Sequence, residues 1–343
     1  MCTPLPGHQP LWAARWVTGP SDDRAALILV MHHVLTDGVG GLAVLTALAD
    51  EGTDPIADAF PRPLPRWRSV AAATWRERVG ALTKTRSGLR ASRHGLRELG
   101  LGAGRPTFAA RTSLNRPTGP RRRLTTIEVP LGGVLDLAHA RDCTLNGVVL
   151  SGVTGPMATV LRRRGERPGE LVVSVPISAR REATGGELGN RTGVRPLAIP
   201  LLTDPDARLR AIAAMSSGRR GASRGASAGP MGAVFRTLGA LGVFQLFIDH
   251  QRLVHTFVTN IHGPESAVHF AGHRVGTVIP AAVTPGNVGV CFDVLSYAGR
   301  LVVPVVADPD IVPEQALLTD LLDEELTALI GGSAGRSSVL APG

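Results

Sequence analysis

The chain has 343 residues, a length that suits two domains better than one. Hydrophobic residues make up 43% and aromatics only 4%, with 41 Gly and 26 Pro, so the core must be aliphatic and turns must be many; this points to an α/β or α+β protein and away from a helical bundle. The formal charge is +9, carried by arginine with Lys84 as the single lysine, and we read it as a surface attractive to acidic partners in general, with no nucleic-acid partner expected.

Cys2, Cys143 and Cys291 are odd in number and far apart, which argues against a disulfide framework or a zinc site and fits a reducing cytoplasm. Each is expected to be a small buried side chain. No run approaches the ~18 apolar residues that span a bilayer. The best runs, Ala25–Met31 and residues 243–248, are far too short. The start Met1-Cys2-Thr3-Pro4 lacks a basic region followed by an apolar one, so no signal peptide is expected.

In chain order, residues 11–31 read as extended. Ala25–Met31 is apolar throughout and is expected to be a buried strand with cover on both faces. It runs directly into His32-His33. Residues 40–50 carry Leu42, Leu45 and Leu48 at helical spacing. Residues 62–123 hold sixteen basic residues against two acidic ones, Glu77 and Glu98. Within them 70–101 predict a helix anchored by Trp75, Val79, Leu82, Leu89 and Leu96, and 102–123 a basic linker. Beyond 123 the pattern alternates. Strands are expected at 124–129, 171–176, 195–200, 255–260, 269–277, 289–296 and 300–307. Helices are expected at 131–141, 146–163 (capped by Thr144), 207–215, 234–256 (interrupted by glycine) and 314–329. Residues 216–230, rich in Ser, Gly and Arg, predict a loop. The resulting units are 1–101, the 102–123 linker and 124–343.

The chemistry concentrates in His32-His33-Val34-Leu35-Thr36-Asp37-Gly38, at the end of a strand and the start of a helix. A His with an ordinary pKa of ~6.5 can take a proton from an alcohol near neutral pH. Asp37 is suited to anchor the loop, by pairing with an Arg or by accepting backbone N–H bonds. Gly38, Gly40 and Gly41 allow a sharp turn and a close approach. The remaining histidines have no such partners and are expected to be structural or superficial. Arg180-Arg181 is placed for CoA phosphates, but a solvated loop is the simpler expectation.

This segment is the HHxxxDG signature of CoA- and carrier-dependent acyltransferases. With five further groups it resembles the bacterial wax ester synthase/diacylglycerol acyltransferase family, a branch of the chloramphenicol acetyltransferase-like enzymes. Pro10-Leu11-Trp12 is similar to that family's PLW segment, and Leu145-Asn146-Gly147-Val148-Val149-Leu150 to its NDVVL segment. Leu188-Gly189-Asn190-Arg191 is similar to its LGN segment. Thr259-Asn260-Ile261-His262-Gly263-Pro264 is similar to its SNVPGP turn, and Leu295-Ser296-Tyr297-Ala298-Gly299-Arg300-Leu301 to its LSYxGxL hairpin.

The resemblance implies two chloramphenicol acetyltransferase-like lobes with mixed sheets. It implies transfer of a long-chain acyl group from acyl-CoA to diacylglycerol or a long-chain alcohol, with His33 as general base. His32 and Asp37 would shape the site, and Gly38 and Asn146 would support it. There is no covalent acyl-enzyme, no metal and no cofactor beyond acyl-CoA as co-substrate. A cytoplasmic enzyme associated peripherally with the membrane or lipid inclusions follows from such substrates. The family carries on the order of a hundred more residues before its motif, about one small domain, so an incomplete N-terminal lobe is expected. The family has Asp where this chain has Gly147. Two other readings remain open: a shortened, inactive paralogue that binds acyl chains or a partner, and a carrier-dependent condensation-type acyltransferase.

Overall fold

The computed structural model describes residues 5, 10–19, 24–35, 37–52, 66–83, 108–178, 192–217, 238 and 241–337. The expected helix beyond 83, the loop after 217 and the Leu188–Arg191 group fall outside these residues.

The first part is a hairpin and a helix. Strand β1 (Trp12–Thr18) pairs antiparallel with β2 (Ala25–Met31), Trp12 opposite Met31. The apolar run of β2 predicted burial on both faces. Instead its side chains are half-buried or exposed, and Val30 is 42% exposed, because among the described residues its sheet has only two strands. Helix α1 (Gly38–Ala47) follows the motif. Three of its first four residues are glycines, each of which disfavours helix by ~1 kcal/mol relative to Ala. The N-cap of Asp37 offsets part of that cost. Helix α2 (Trp67–Thr83) comes next. Trp75, an expected apolar anchor, is 67% exposed, since among the described residues no element covers that side of the helix.

The second part is a six-stranded mixed sheet with helices on one face. Its strands are β3 (Arg123–Pro130), β4 (Glu170–Ser178), β5 (Thr192–Pro200), β6 (Thr256–His262), β9 (Val290–Tyr297) and β10 (Arg300–Ala307). The order is β3-β10-β9-β6-β4-β5. Neighbours are antiparallel except β9 with β6 and β6 with β4, which are parallel.

Alternation assigns the two faces. Val258, Val290, Phe292, Val294, Leu301, Val303 and Val305 join the core under the helices. Thr259, Ile261, Cys291, Asp293 and Leu295 therefore point to the other face. The helix layer holds α3 (Leu131–Ala140), α4 (Leu145–Arg163), α5 (Pro205–Ser217) and α7 (Gln315–Ser337). Helix α4 is buried on every side from Gly147 to Ala158, packed between α3, α5 and α7. Full burial of each Val, Leu or Met here contributes about 1.5–3 kcal/mol. Thr144 caps α4 by accepting from the Gly147 N–H at 3.1 Å. Residues 108–122, irregular in conformation, lie along this unit. Leu114 is in its core, and Asn115 donates to the carbonyls of His255 and Asn287. No single helix among the described residues is long and apolar enough to cross a membrane.

Two expected elements differ. The long helix at 234–256 is, among the described residues, a six-residue helix α6 (Phe244–Asp249), with residue 238 described as helical on its own. After α6 the side chain of Gln251 accepts from the N–H groups of Leu253 and Val254 and donates to the Val254 carbonyl, which turns the chain out of helix. The expected strand 269–277 is a minimal hairpin, β7 (His269–Phe270) and β8 (His273–Arg274), reversed at Ala271 (φ 51°) and Gly272 (φ 78°).

That hairpin receives the end of α1. The Asp50 carboxylate accepts from the N–H groups of Ala271 and Gly272 at 2.9 and 2.7 Å. Glu51 accepts from the His269 N–H and meets its Nδ1 at 2.6 Å. Trp16 of β1 lies 6.3 Å from Phe270. The backbone and side-chain bonds from His269 pull the Glu51 pKa down from 4.5 to about 2. A depressed carboxylate stabilises in full above its unfolded pKa and loses that effect as pH falls through its folded one. Glu51→Gln should therefore lower the unfolding midpoint relative to the parent at neutral pH. The gap should close between pH 4.5 and about 2. Acid-series denaturation measures it; a gap unchanged across that window would contradict the contact.

Candidate active site

The motif begins where β2 ends. The His32 N–H donates to the Leu11 carbonyl at 2.8 Å, extending the β1–β2 pairing by one residue. Residues 33–35 then turn: the Leu35 N–H reaches the His32 carbonyl at 2.8 Å, and the Val34 N–H reaches His32 Nδ1 at 3.2 Å. The ring of His32 is thus used as an acceptor that shapes the turn. The next ring, His33, is exposed and stands at its tip.

Asp37 is 4% exposed and ends the turn. Its Oδ1 accepts from the Gly40 N–H at 3.0 Å, and its carbonyl accepts from Gly41 at 2.8 Å. This carboxylate sits on the first turn of α1, where unpaired N–H groups favour negative charge. Gly38 presses on the second part of the chain. A Cβ there would lie 2.6 Å from Ile261 Cδ1, so a larger residue must displace that methyl.

Three of the segments quoted above meet around this turn. Pro10-Leu11-Trp12 leads into β1, beside the motif strand. Thr259–Pro264 ends β6, and Leu295–Leu301 makes the β9–β10 turn. Those two are adjacent, with Ile261 opposite Leu295 and His262 opposite Ser296. Gly263 is held close: its N–H donates to the Ser296 carbonyl at 2.9 Å, and a Cβ would lie 2.6 Å from that oxygen. Ala298 and Gly299 close the hairpin with φ of 47° and 76°. Asn146 is carried on a different element, the first turn of α4, where its Oδ1 is buried without a hydrogen bond. A Cβ on its neighbour Gly147 would run into Cys143 Sγ and lie 3.4 Å from Ile212 Cγ2, so the thiol fills the space that a side chain at 147 would need.

One charged residue was missed from sequence. Asp293 on β9 is 3% exposed, and burial raises its pKa, while the Ala282 N–H, the Thr259 hydroxyl and the charge of His33 act to lower it. The only signal available was a lone carboxylate in an apolar strand. Cys291, two residues earlier on the same face, is held well above its usual pKa first by burial and then by the Asp293 charge, so it is no nucleophile at rest. His255 is structural: its Nδ1 accepts from the Val172 N–H and its Nε2 meets the Ala110 carbonyl, both at 2.8 Å, and burial lowers its pKa. Among the described residues no group of three His, Cys, Asp or Glu side chains is placed to hold a metal ion. What the motif offers is an accessible imidazole on a braced turn, beside a buried carboxylate.

The wax ester synthase/diacylglycerol acyltransferase catalytic domain matches residues 1–149, and the C-terminal domain of the same family matches residues 188–330. A probable diacylglycerol O-acyltransferase of Mycobacterium tuberculosis is 27% identical over 352 aligned residues, covering 98% of this chain and 75% of that protein. A second, putative diacylglycerol O-acyltransferase of the same organism is 26% identical, covering 95% of this chain and 68% of its own length. Among solved structures, the wax ester synthase/diacylglycerol acyltransferase from Marinobacter aquaeolei VT8 superposes with a TM-score of 0.65 at 18% identity, over 97% of this chain and 74% of that one. The starter condensation domain of rhizomide synthetase shares the fold at a TM-score of 0.53 and 18% identity, over 95% and 70%.

Proposed function

The chain belongs to the wax ester synthase/diacylglycerol acyltransferase family of acyltransferases, and from that premise we propose that it moves a long-chain fatty acyl group from acyl-CoA to the hydroxyl of diacylglycerol or a long-chain alcohol, with His33 as the general base. The observation that carries this reading is the exposed His33 ring at the tip of a turn whose other end, Asp37-Gly38, is locked into a helix and against β6.

In this reading His33 takes the proton of the acceptor hydroxyl as its oxygen attacks the thioester carbon. The C–O bond forms, the C–S bond breaks, and the proton passes from His33 to the departing CoA sulfur. His32 keeps the turn in shape through its bond from Val34, and Asp37 fixes the start of α1. Acyl-CoA is a co-substrate, and no metal or further cofactor takes part. Incubation with a long-chain acyl-CoA and either acceptor should release free CoA and form one ester per CoA. CoA release without ester, or no turnover with either acceptor, would overturn the proposal.

The same reading carries a location. Both acceptors are water-insoluble, so the enzyme works in the cytoplasm against the inner face of the plasma membrane or lipid inclusions. Helix α2 supports this: Trp67, Val70 and Trp75 are 74%, 48% and 67% exposed, between the exposed Arg66, Arg68 and Arg76. Arginines beside exposed tryptophans suit an anionic interface, at about 1 kcal/mol per basic residue near the surface. Cosedimentation with anionic vesicles should weaken as salt rises and with Trp67→Ala/Trp75→Ala. Binding indifferent to both would count against the location.

A further inference from the structure

Strand β9 is one of the two central strands of an apolar six-stranded sheet, yet it carries a carboxylate. Asp293 points away from the helix layer, since Phe292 and Val294 on either side of it belong to the core beneath the helices. A carboxylate removed from water is kept only where hydrogen bonds and charge hold it. Both oxygens of Asp293 are accounted for. Oδ1 accepts from the Thr259 hydroxyl at 2.9 Å, and Oδ2 accepts from the Ala282 N–H at 2.7 Å. Thr259 is its direct partner in the parallel β6–β9 register. The carboxylate is therefore fixed in direction by two different segments.

The motif turn is laid over the same strand pair. Ile261, two residues after Thr259 on the same face of β6, is the residue on which Gly38 rests. The turn that carries His33 is thus seated on the same strand pair as Asp293, and the charge of His33 acts to lower the Asp293 pKa against the effect of burial. Among the described residues, His33 of the turn is the charge that acts directly on Asp293, and it is of opposite sign when protonated; Cys291 stands two residues away on the same face, where Asp293 and Arg122 both act on it.

We propose that Asp293 is the positioning residue for His33: its carboxylate, held by Thr259 and Ala282, orients the imidazole and balances the positive charge that the ring gains when it takes the acceptor's proton. This rests on the reading of His33 as general base. The proton travels from hydroxyl to His33 and on to the CoA sulfur. Asp293 stays ionised throughout and touches neither substrate. The arrangement couples the two parts of the chain, because the base comes from the N-terminal motif and its partner from the C-terminal sheet.

The test uses the full chain with Asp293→Asn, which keeps the shape and removes the charge. Removing such a carboxylate from a histidine base in another fold costs about 10⁴-fold in turnover. Here kcat should fall by roughly 10²–10⁴-fold at unchanged KM for acyl-CoA. His33→Ala/Asp293→Asn should be no slower than His33→Ala, because residues that act as a unit are not additive. Should Asp293→Asn fail to fold, Thr259→Val carries the kinetic test, with a loss of about tenfold or more in kcat, the order expected for a hydrogen bond to a charged group.

A second readout needs no turnover: the Asp293 carboxyl, followed by carbon NMR, should titrate at higher pH in His33→Gln than in the parent. Wild-type kcat in folded Asp293→Asn, or an Asp293 titration indifferent to His33, overturns the proposal. If the parent itself transfers no acyl group, the proposed function fails and the NMR comparison alone decides the pairing.

Discussion

Replacing Glu325 by Gln should destabilise the chain by about 3–5 kcal/mol, the cost of leaving one buried charge without its partner. Glu325 lies on α7 and pairs with Arg208 of α5, whose side chain is 2% exposed. Burial pushes both groups toward their neutral forms, raising Glu325 and lowering Arg208, and the attraction between them works against it. Arg208 also donates to the Ser151 carbonyl of α4 at 3.1 Å and to that of Leu202 at 2.6 Å. The pair fits because α4 has Gly155 there; a Cβ would run into Glu325 Oε2 and Arg208. Four segments are thus tied by one guanidinium. Urea denaturation reads the effect. Arg208→Met/Glu325→Leu should be much less damaging than Glu325→Gln, since the double change leaves no orphan charge. A loss below about 1 kcal/mol for Glu325→Gln would show that water reaches the pair and screens it.

The sequence was most legible where local pattern and tertiary role coincide. The β9–β10 hairpin, α4 with its Thr144 cap and the strand leading into His32-His33 all follow from residues adjacent in the chain. It misled where a side-chain contact, near or distant, decides the backbone. The apolar residues around Val243 suggested a long helix, but Gln251 folds back on Leu253 and Val254 and ends it. Residues 269–277 alternate like a strand, yet the Asp50 carboxylate, more than two hundred residues earlier, captures the N–H groups of Ala271 and Gly272 and fixes a reversal. Trp75 had the spacing of a core anchor and faces outward.

The candidate site divides in the same way. His32, His33, Asp37 and Gly38 are contiguous, so their relation was visible as a motif. Asp293 was not, because its strand is brought under the motif turn only by the parallel pairing of β6 with β9 and by Gly38 resting on Ile261. Gly147 could be noticed only as a departure from a family pattern. Its space is filled by Cys143 from four residues earlier, a compensation that spacing alone does not announce.

The central claim, that His33 is the base, is tested most directly by His33→Ala in the full chain, assayed with long-chain acyl-CoA and an acceptor alcohol. The ring is exposed at a turn tip, so its removal should leave the unfolding transition close to that of the parent. Loss of a general base should lower kcat by about 10²–10⁴-fold. His32→Ala gives the contrast, since its Nδ1 supports the turn through Val34, and its effect should fall on stability as well as on rate. A folded His33→Ala protein with a hundredfold or greater loss of acyl transfer is the result the account predicts. A folded His33→Ala protein that transfers acyl groups at the parent's rate would contradict it.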